Sequence, residues 1–206
     1  QNLIIYLDDL LLMETSFERH LQLVDDVLSA LESQGIKLNG SKCTWFQPEV
    51  KFLGHVISSK GLKKSPEYME KVAQLEHPKT VHQLRQFLGI VNYQRKFVPH
   101  CSVIAKPLSE LTGLPPKTEL TWNEEMRTAF SQLKEALQNE ITLSFPDYSK
   151  DASPLCLWVD ASSVGAGACL TQAQDGRTRY IGFASTTFTK AQRNYSATGR
   201  ELAALR

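Results

Sequence analysis

Apolar positions along the chain change period several times, and each change marks an element. Residues 3–12 read apolar, then Tyr6-Leu7-Asp8-Asp9, then apolar, the pattern of a tight β-hairpin with two carboxylates at its turn. Thr15 and Glu18 form a capping-box pair ahead of Leu21, Val24, Val27 or Leu28, and Leu31 at helical spacing, and Gly35 stands where a helix C-terminal glycine belongs. The period then shortens. Cys43 to Phe46 and Val50 to Ile57 predict a second hairpin around Gln47-Pro48-Glu49, ending near Ser58 to Gly61.

Helical spacing returns at Ser65-Pro66, an N-cap followed by proline, and at Thr80 with Gln83, which open a longer helix carrying Val81, Leu84, Phe87, Leu88 and Val91 on one side. A further helix is expected over Val103 to Leu111. Gly113 to Thr121, with Pro115-Pro116, reads as a linker, and Asn123 caps an amphipathic helix bearing Met126, Phe130, Leu133 and Leu137. Beyond it the pattern is that of strands: Leu155 to Val159 ending at Asp160, Gly165 to Leu170, and Tyr180 to Ala184, with Asp175-Gly176 as a turn and a helix from about Thr198. Helices and antiparallel strands in separate runs predict an α+β chain that ends in the beginning of an α/β layer.

Composition adds two restrictions. No apolar run reaches the ~18 residues needed to cross a bilayer, and the four cysteines Cys43, Cys101, Cys156 and Cys169 show no C-x-x-C spacing, which points to a reduced intracellular setting rather than a zinc knuckle or disulfide framework. Gln1 in place of Met, and Arg206 reached inside a helical pattern, predict a piece of a longer chain.

The net charge of +1 conceals an asymmetry. Residues 1–34 hold one base and seven acids, residues 35–107 twelve bases and four acids, and residues 108–206 ten bases and eleven acids. A basic block beside an acidic one suits a protein that grips a phosphate backbone with one part and metal ions with another. The bases are interleaved with rings: Lys63, Lys64, Lys71, Arg85, Arg95 and Lys96 among Trp45, Tyr68, Tyr93 and Phe97. Phe87 and Phe97 are expected in the core, whereas Tyr93 is open to either a packed or an exposed role. Adjacent carboxylates such as Asp8 and Asp9 repel one another unless a cation or solvent offsets the repulsion, so they are the first metal-ligand candidates. A strand-end Asp160 and a first-turn helix Glu201 can converge over one sheet edge as a second pair.

The string Leu3-Ile4-Ile5-Tyr6-Leu7-Asp8-Asp9-Leu10-Leu11-Leu12 resembles the Tyr-x-Asp-Asp motif of reverse transcriptases. Lys51-Phe52-Leu53-Gly54-His55-Val56-Ile57 resembles the primer-grip hairpin of that family. Leu84-Arg85-Gln86-Phe87-Leu88-Gly89 and Asn92-Tyr93-Gln94-Arg95-Lys96-Phe97 are similar to the thumb of gypsy-type (LTR) retrotransposon and retrovirus-like polymerases. Leu157-Trp158-Val159-Asp160-Ala161-Ser162, Gly165-Ala166-Gly167-Ala168 and Tyr195-Ser196-Ala197-Thr198-Gly199-Arg200-Glu201-Leu202 resemble the start of a ribonuclease H domain.

The resemblance covers nearly the whole chain and implies a domain order: the C-terminal part of the palm with its primer grip over 1–62, a helical thumb over 63–113, a connection over 114–150 and a truncated ribonuclease H-like domain over 151–206. It further implies that Asp8, Asp9, Asp160 and Glu201 are catalytic ligands of Mg²⁺ or Mn²⁺. Tyr6, Leu53, Gly54, His55, Lys63, Lys64, Arg85, Tyr93, Arg95 and Lys96 would contact nucleic acid. The implied partners are an RNA-DNA hybrid and a DNA primer-template, with dNTP only in the complete parent and no membrane, at a cytoplasmic or nuclear location. Related enzymes need one further Asp before the Tyr-x-Asp-Asp hairpin and two more after Glu201, and Gly199 stands where an acid is often found. Both active sites are therefore expected to be incomplete in this stretch, with nucleotidyl transfer and RNA cleavage belonging to the parent. The alternative reading is a host-retained, non-catalytic module that binds nucleic acid or protein.

Overall fold

The computed structural model describes residues 2–205, and the chain forms two compact units that succeed one another between Phe52 and Leu53. Arg206, expected within a helix, lies outside the described residues.

In the first unit β1 (Leu3–Tyr6) pairs antiparallel with β2 (Asp9–Leu12), Tyr6 opposite Asp9, so that Leu7 and Asp8 make a two-residue turn. Leu7 sits at φ 52°, a left-handed conformation that costs a residue with a Cβ about 1–2 kcal/mol. Asp9 is thus the first residue of a strand and only Asp8 belongs to the turn. Helix α1 (Phe17–Ser33) is capped by Ser16, whose hydroxyl accepts from Arg19 N and donates to Glu18, so the cap is one residue later than the Thr15 box predicts. Gly35 follows at φ 69°, as a C-terminal glycine should.

The expected strand over residues 43–46 does not form. Asn39 instead caps a 3₁₀ turn, Gly40–Lys42, and Phe46 takes φ 50° with its ring 5.5 Å from Phe17 and 5.3 Å from His20. The extended run begins only after Pro48, as β3 (Glu49–Phe52).

The second unit opens with Leu53 and Gly54 at φ 48° and 69°, the paired positive angles of a tight hairpin turn. Strand β4 (His55–Ser58) then pairs with β5 (Gly61–Lys64), Ser58 opposite Gly61. Gly61 admits no side chain, because a Cβ there would collide with the Leu143 carbonyl, which accepts from Leu62 N while Leu143 N donates back to Leu62 O. Helices α2 (Pro66–Ala73), α3 (Val81–Tyr93), α4 (Cys101–Ser109) and α5 (Glu124–Gln138) carry the caps read from the sequence at Ser65, Thr80 and Asn123; α4 begins at His100, which has φ 51° and makes no side-chain cap. Their shared core contains Leu84, Phe87, Val91, Leu108, Phe130, Leu133 and Leu137, each side chain contributing about 1.5–3 kcal/mol by burial. Trp122 meets the Phe130 ring edge-on and donates from Nε1 to Pro78 O.

Strands β6 (Leu155–Ala161), β7 (Gly165–Gln174) and β8 (Arg177–Thr187) form an antiparallel meander in that order, joined at Asp175-Gly176 and followed by α6 (Lys190–Arg193) and α7 (Ala197–Ala204). β7 and β8 run longer than the apolar pattern predicts, because a bulge between Leu170 and Thr171 lets polar residues continue the strand. Gln172 explains how: its buried amide donates to Asp147 O and Ser153 O and accepts from Asp147 N. Sheet and helices are joined at Ser185, whose carbonyl accepts from Arg95 Nη2 at 2.7 Å and Ser102 Oγ at 2.8 Å, and whose hydroxyl accepts from Ser102 N at 2.8 Å. Gly165 and Gly167 leave room for this approach: a Cβ on the first would strike Thr186 O and Val103, and on the second the His100 ring.

Replacing Gln172 with Leu strips three backbone groups of their partners. The expected loss is on the order of 2 kcal/mol, to be read as a lower urea midpoint without change in slope.

Candidate nucleic-acid interface and carboxylate pairs

In the first unit the Tyr6-to-Asp9 turn projects into solvent, with Ile5, Tyr6 and Leu7 all exposed beside the two carboxylates. In the second unit Asp160 lies opposite Gly167 on β7, which puts it on the face where the His100 ring rests. A cleft of about 340 Å³ is lined there by His100, Trp158, Asp160, Cys169 and Phe183. Glu201 is exposed on α7, and α7 lies against β6 and β7. Among the described residues no three His, Cys, Asp or Glu side chains gather closely enough to hold a metal by themselves.

The residues expected to grip nucleic acid divide into two groups. Lys64 is 3 % exposed, its Nζ donating to Asn139 O at 2.6 Å and lying 5.2 Å from the Phe97 ring centre. Burial lowers its pKa to about 8. This corrects the sequence expectation: Lys64 secures the end of α5 and is not offered to a phosphate. His55 is likewise buried, with Nδ1 2.8 Å from Leu53 O, Nε2 3.1 Å from Gln94 Oε1 and its ring stacked 5.7 Å from Phe97. Burial first, and the Lys96 charge second, hold its pKa below the usual imidazole range, so near neutral pH it is a packed, uncharged ring rather than a cationic contact.

Arg85 sends Nε and Nη2 to Thr112 O and Nη2 also to Leu114 O, clamping the loop after α4. Arg95 uses one nitrogen on Ser185 O. Both remain solvent-exposed, but neither is a free-swinging cation. Lys96 is half-buried against Phe97, and burial lowers its pKa too.

The second group faces outward. Lys63 is part-exposed on β5, and Tyr93 is 53 % exposed while its hydroxyl donates to Leu53 O at 2.6 Å, fixing the Leu53-Gly54 turn against α3. The sequence reading missed Gly89. It lies one turn before Tyr93 on the exposed side of α3 with Gln86, and a Cβ there would meet nothing within 4 Å, so no internal packing calls for glycine. The available signal was a glycine inside an otherwise regular helical pattern. Beside these residues an apolar groove of about 780 Å³ runs between α2 and α3, past Tyr68, Phe87 and Ile90.

With this geometry in view, the likeness to known proteins is specific. Residues 1–57 match the family of reverse transcriptase (RNA-dependent DNA polymerase), and residues 122–206 match the RNase H-like domain found in reverse transcriptase. The Transposon Tf2-3 and Tf2-7 polyproteins of Schizosaccharomyces pombe are each 37% identical over 205 residues, which is 99% of this chain but 15% of theirs. The chain superposes on the foamy viral protease-reverse transcriptase dRH in complex with ds DNA with a TM-score of 0.84 at 26% identity, covering 98% of this chain and 35% of that one. For the foamy viral protease-reverse transcriptase in complex with RNA/DNA hybrid the TM-score is 0.82 at 26% identity, with 98% of this chain and 27% of that one covered.

The chain therefore has an α+β fold in which reverse transcriptase palm and thumb elements lead into an RNase H-like domain. Over nearly its whole length it is similar to a segment of the Tf2 transposon polyproteins, and it spans 15% of the length of the curated relatives it matches.

Lys64 has a folded pKa near 8 against about 10.4 when unfolded, so between those values the unfolded chain binds more protons and stability rises with pH. Tyr68, whose pKa burial raises, acts in the opposite sense above pH ~10. His55 removes stability as pH falls below ~6.5. Urea unfolding across pH should show the alkaline rise, and Lys64→Met should reduce it.

Proposed function

We propose that this segment grips primer-template in an RNA-directed DNA polymerase with ribonuclease H activity, of the gypsy-type LTR or retrovirus-like class. The carrying observation is the β1-β2 hairpin, which presents Asp8 in its turn and Asp9 at the start of β2 to solvent within a segment matched to reverse transcriptase. Identity to the Tf2 polyproteins along almost the whole chain supports the finer class. The relatives solved with ds DNA and RNA/DNA hybrid support the ligand, as either a DNA primer-template or a hybrid. On this reading 1–62 is the palm end with its primer grip, 63–113 the thumb, 114–150 the connection and 151–206 the RNase H-like domain. The protein then acts inside the cell, in cytoplasm or nucleus, and dNTP binding belongs to the whole parent enzyme.

The carboxylate pairs fit a hard divalent ion in donor chemistry, and two ligands apiece agree with the way Mg²⁺ is held by one or two carboxylates together with substrate phosphates. Asp8 and Asp9 would hold Mg²⁺ or Mn²⁺ for synthesis, and Asp160 and Glu201 for RNA cleavage. Such an ion, when bound, stabilises charge on phosphoryl oxygens.

The chain's own residues position the duplex. Gln86, Gly89 and Tyr93 form one exposed stripe on α3, and the missing side chain at Gly89 allows a backbone or sugar to lie close to the helix. Lys63 adds a charge near the Leu53-Gly54 turn that Tyr93 fixes.

Labelled RNA-DNA hybrid titrated with the chain should bind, and the binding should weaken steeply with salt; absence of binding refutes the proposal. Gly89→Ala should stabilise the fold by about 0.5–1 kcal/mol while weakening hybrid binding, a pairing that a purely structural glycine does not give. The isolated chain should neither extend a primer nor cleave the hybrid. A polypeptide extended at both ends should do both, losing synthesis with Asp8→Asn and cleavage with Asp160→Asn.

A further inference from the structure

A second cleft, of about 530 Å³, opens where α3 and α4 meet β8 and α6, and its walls include Asn92, Arg95, Lys106, Glu110, Thr187 and Arg193. Its walls share no residue with the groove lined by Gln86, Gly89 and Tyr93, so this is a separate surface from the stripe described above.

Three cations face one carboxylate there. Two of the cations are held in place without being neutralised: Arg95 gives Nη2 to Ser185 O, and Arg193 gives Nε to Phe188 O at 3.1 Å. A carbonyl orients a guanidinium and leaves its charge and remaining N–H donors for another acceptor. Lys106 stands 3.9 Å from Glu110, a surface pair at the limit of ion-pair distance that contributes little. No aromatic ring lines the walls, so stacking on bases is not provided. Fixed forks, an unbalanced positive charge, an amide and hydroxyls suit phosphate groups. The charge is assembled only by the fold, since Arg193 belongs to a stretch that is net acidic in sequence.

We propose that this cleft binds the sugar-phosphate backbone of a nucleic-acid strand through Arg95, Lys106 and Arg193, without reading its sequence. The inference rests on the nucleic-acid reading above and adds a second contact surface to it.

The test uses the whole chain, a labelled RNA-DNA hybrid and fluorescence anisotropy over a salt series. Lys106→Glu with Arg193→Glu should weaken binding at least about tenfold at low salt and flatten the slope of log K against log salt by about 2. Arg95 is left alone because it joins sheet to helices. Lys117→Glu with Lys150→Glu, the same charge change at exposed positions away from the cleft, should leave the slope nearly unchanged. Should the glutamate pair at the cleft alter the thermal melt, Lys106→Gln with Arg193→Gln, expected to lower the slope by the same count, replaces it. Equal slope changes in cleft and control variants, or none in either, overturn the proposal. So does poly-glutamate displacing the hybrid from the wild-type chain as readily as unlabelled hybrid does, since the cleft then suits an acidic peptide equally well. If Gly89→Ala weakens binding while the cleft variants do not, this inference fails and the broader reading stands; if the wild type binds nothing, both fail.

Discussion

Three hydrogen bonds converge on Ser185, two on its carbonyl and one on its hydroxyl, and all three come from Arg95 and Ser102 in the helical part of the second unit. Each contributes only about 1 kcal/mol net, yet the geometry they impose reaches far. They press the start of α4 onto β7 and β8, which is possible only because Gly165 and Gly167 carry no side chains. The clefts on either side follow from that contact. One holds Asp160 beside His100, and the other brings Arg193 toward Arg95 and Lys106. A slightly looser seam would leave the same residues present but no longer convergent.

The basic middle of the chain shows how charge divides between holding the protein together and meeting a ligand. Around Phe97, His55 stacks and Lys64 and Lys96 lie against the ring, with the protonated form of all three disfavoured by burial. This cluster joins the β4-β5 hairpin to the helices. Lys63, next to Lys64 in sequence, points the other way because successive strand residues alternate faces, and it keeps its exposure.

Much of this was legible in the residues. The caps at Ser65-Pro66, Thr80 and Asn123 and the turn at Asp175-Gly176 act through neighbours at most a few positions away, so local sequence suffices to find them. The Tyr-Leu-Asp-Asp hairpin and the Asp160 strand were visible for the same reason. The misreadings arose where a distant partner decides. Residues 43–46 have a strand-like composition, but Phe46 turns out of the extended region to meet Phe17 and His20. The polar Thr171-Gln172 pair looked like a strand end, and only Asp147 and Ser153 show why it is not. Lys64 looked like a surface base, and its acceptor lies 75 residues further on. The short α6 is also written locally, since Thr189 and Gln192 spell a capping box.

The Ser185 seam also orders events in time. Its bonds link residues 83 and 90 positions apart, whereas the helix caps and the β6-β7-β8 meander close over short stretches of chain, and distant contacts form after local ones. During synthesis from the N-terminus, Arg95 and Ser102 leave the ribosome well before their acceptor does, and the start of α4 must wait with its polar groups in water. Translation speed through β6 to β8 thus sets how long the helical part remains without its sheet, and a pause there prolongs the interval in which another chain's strand edge can take its place.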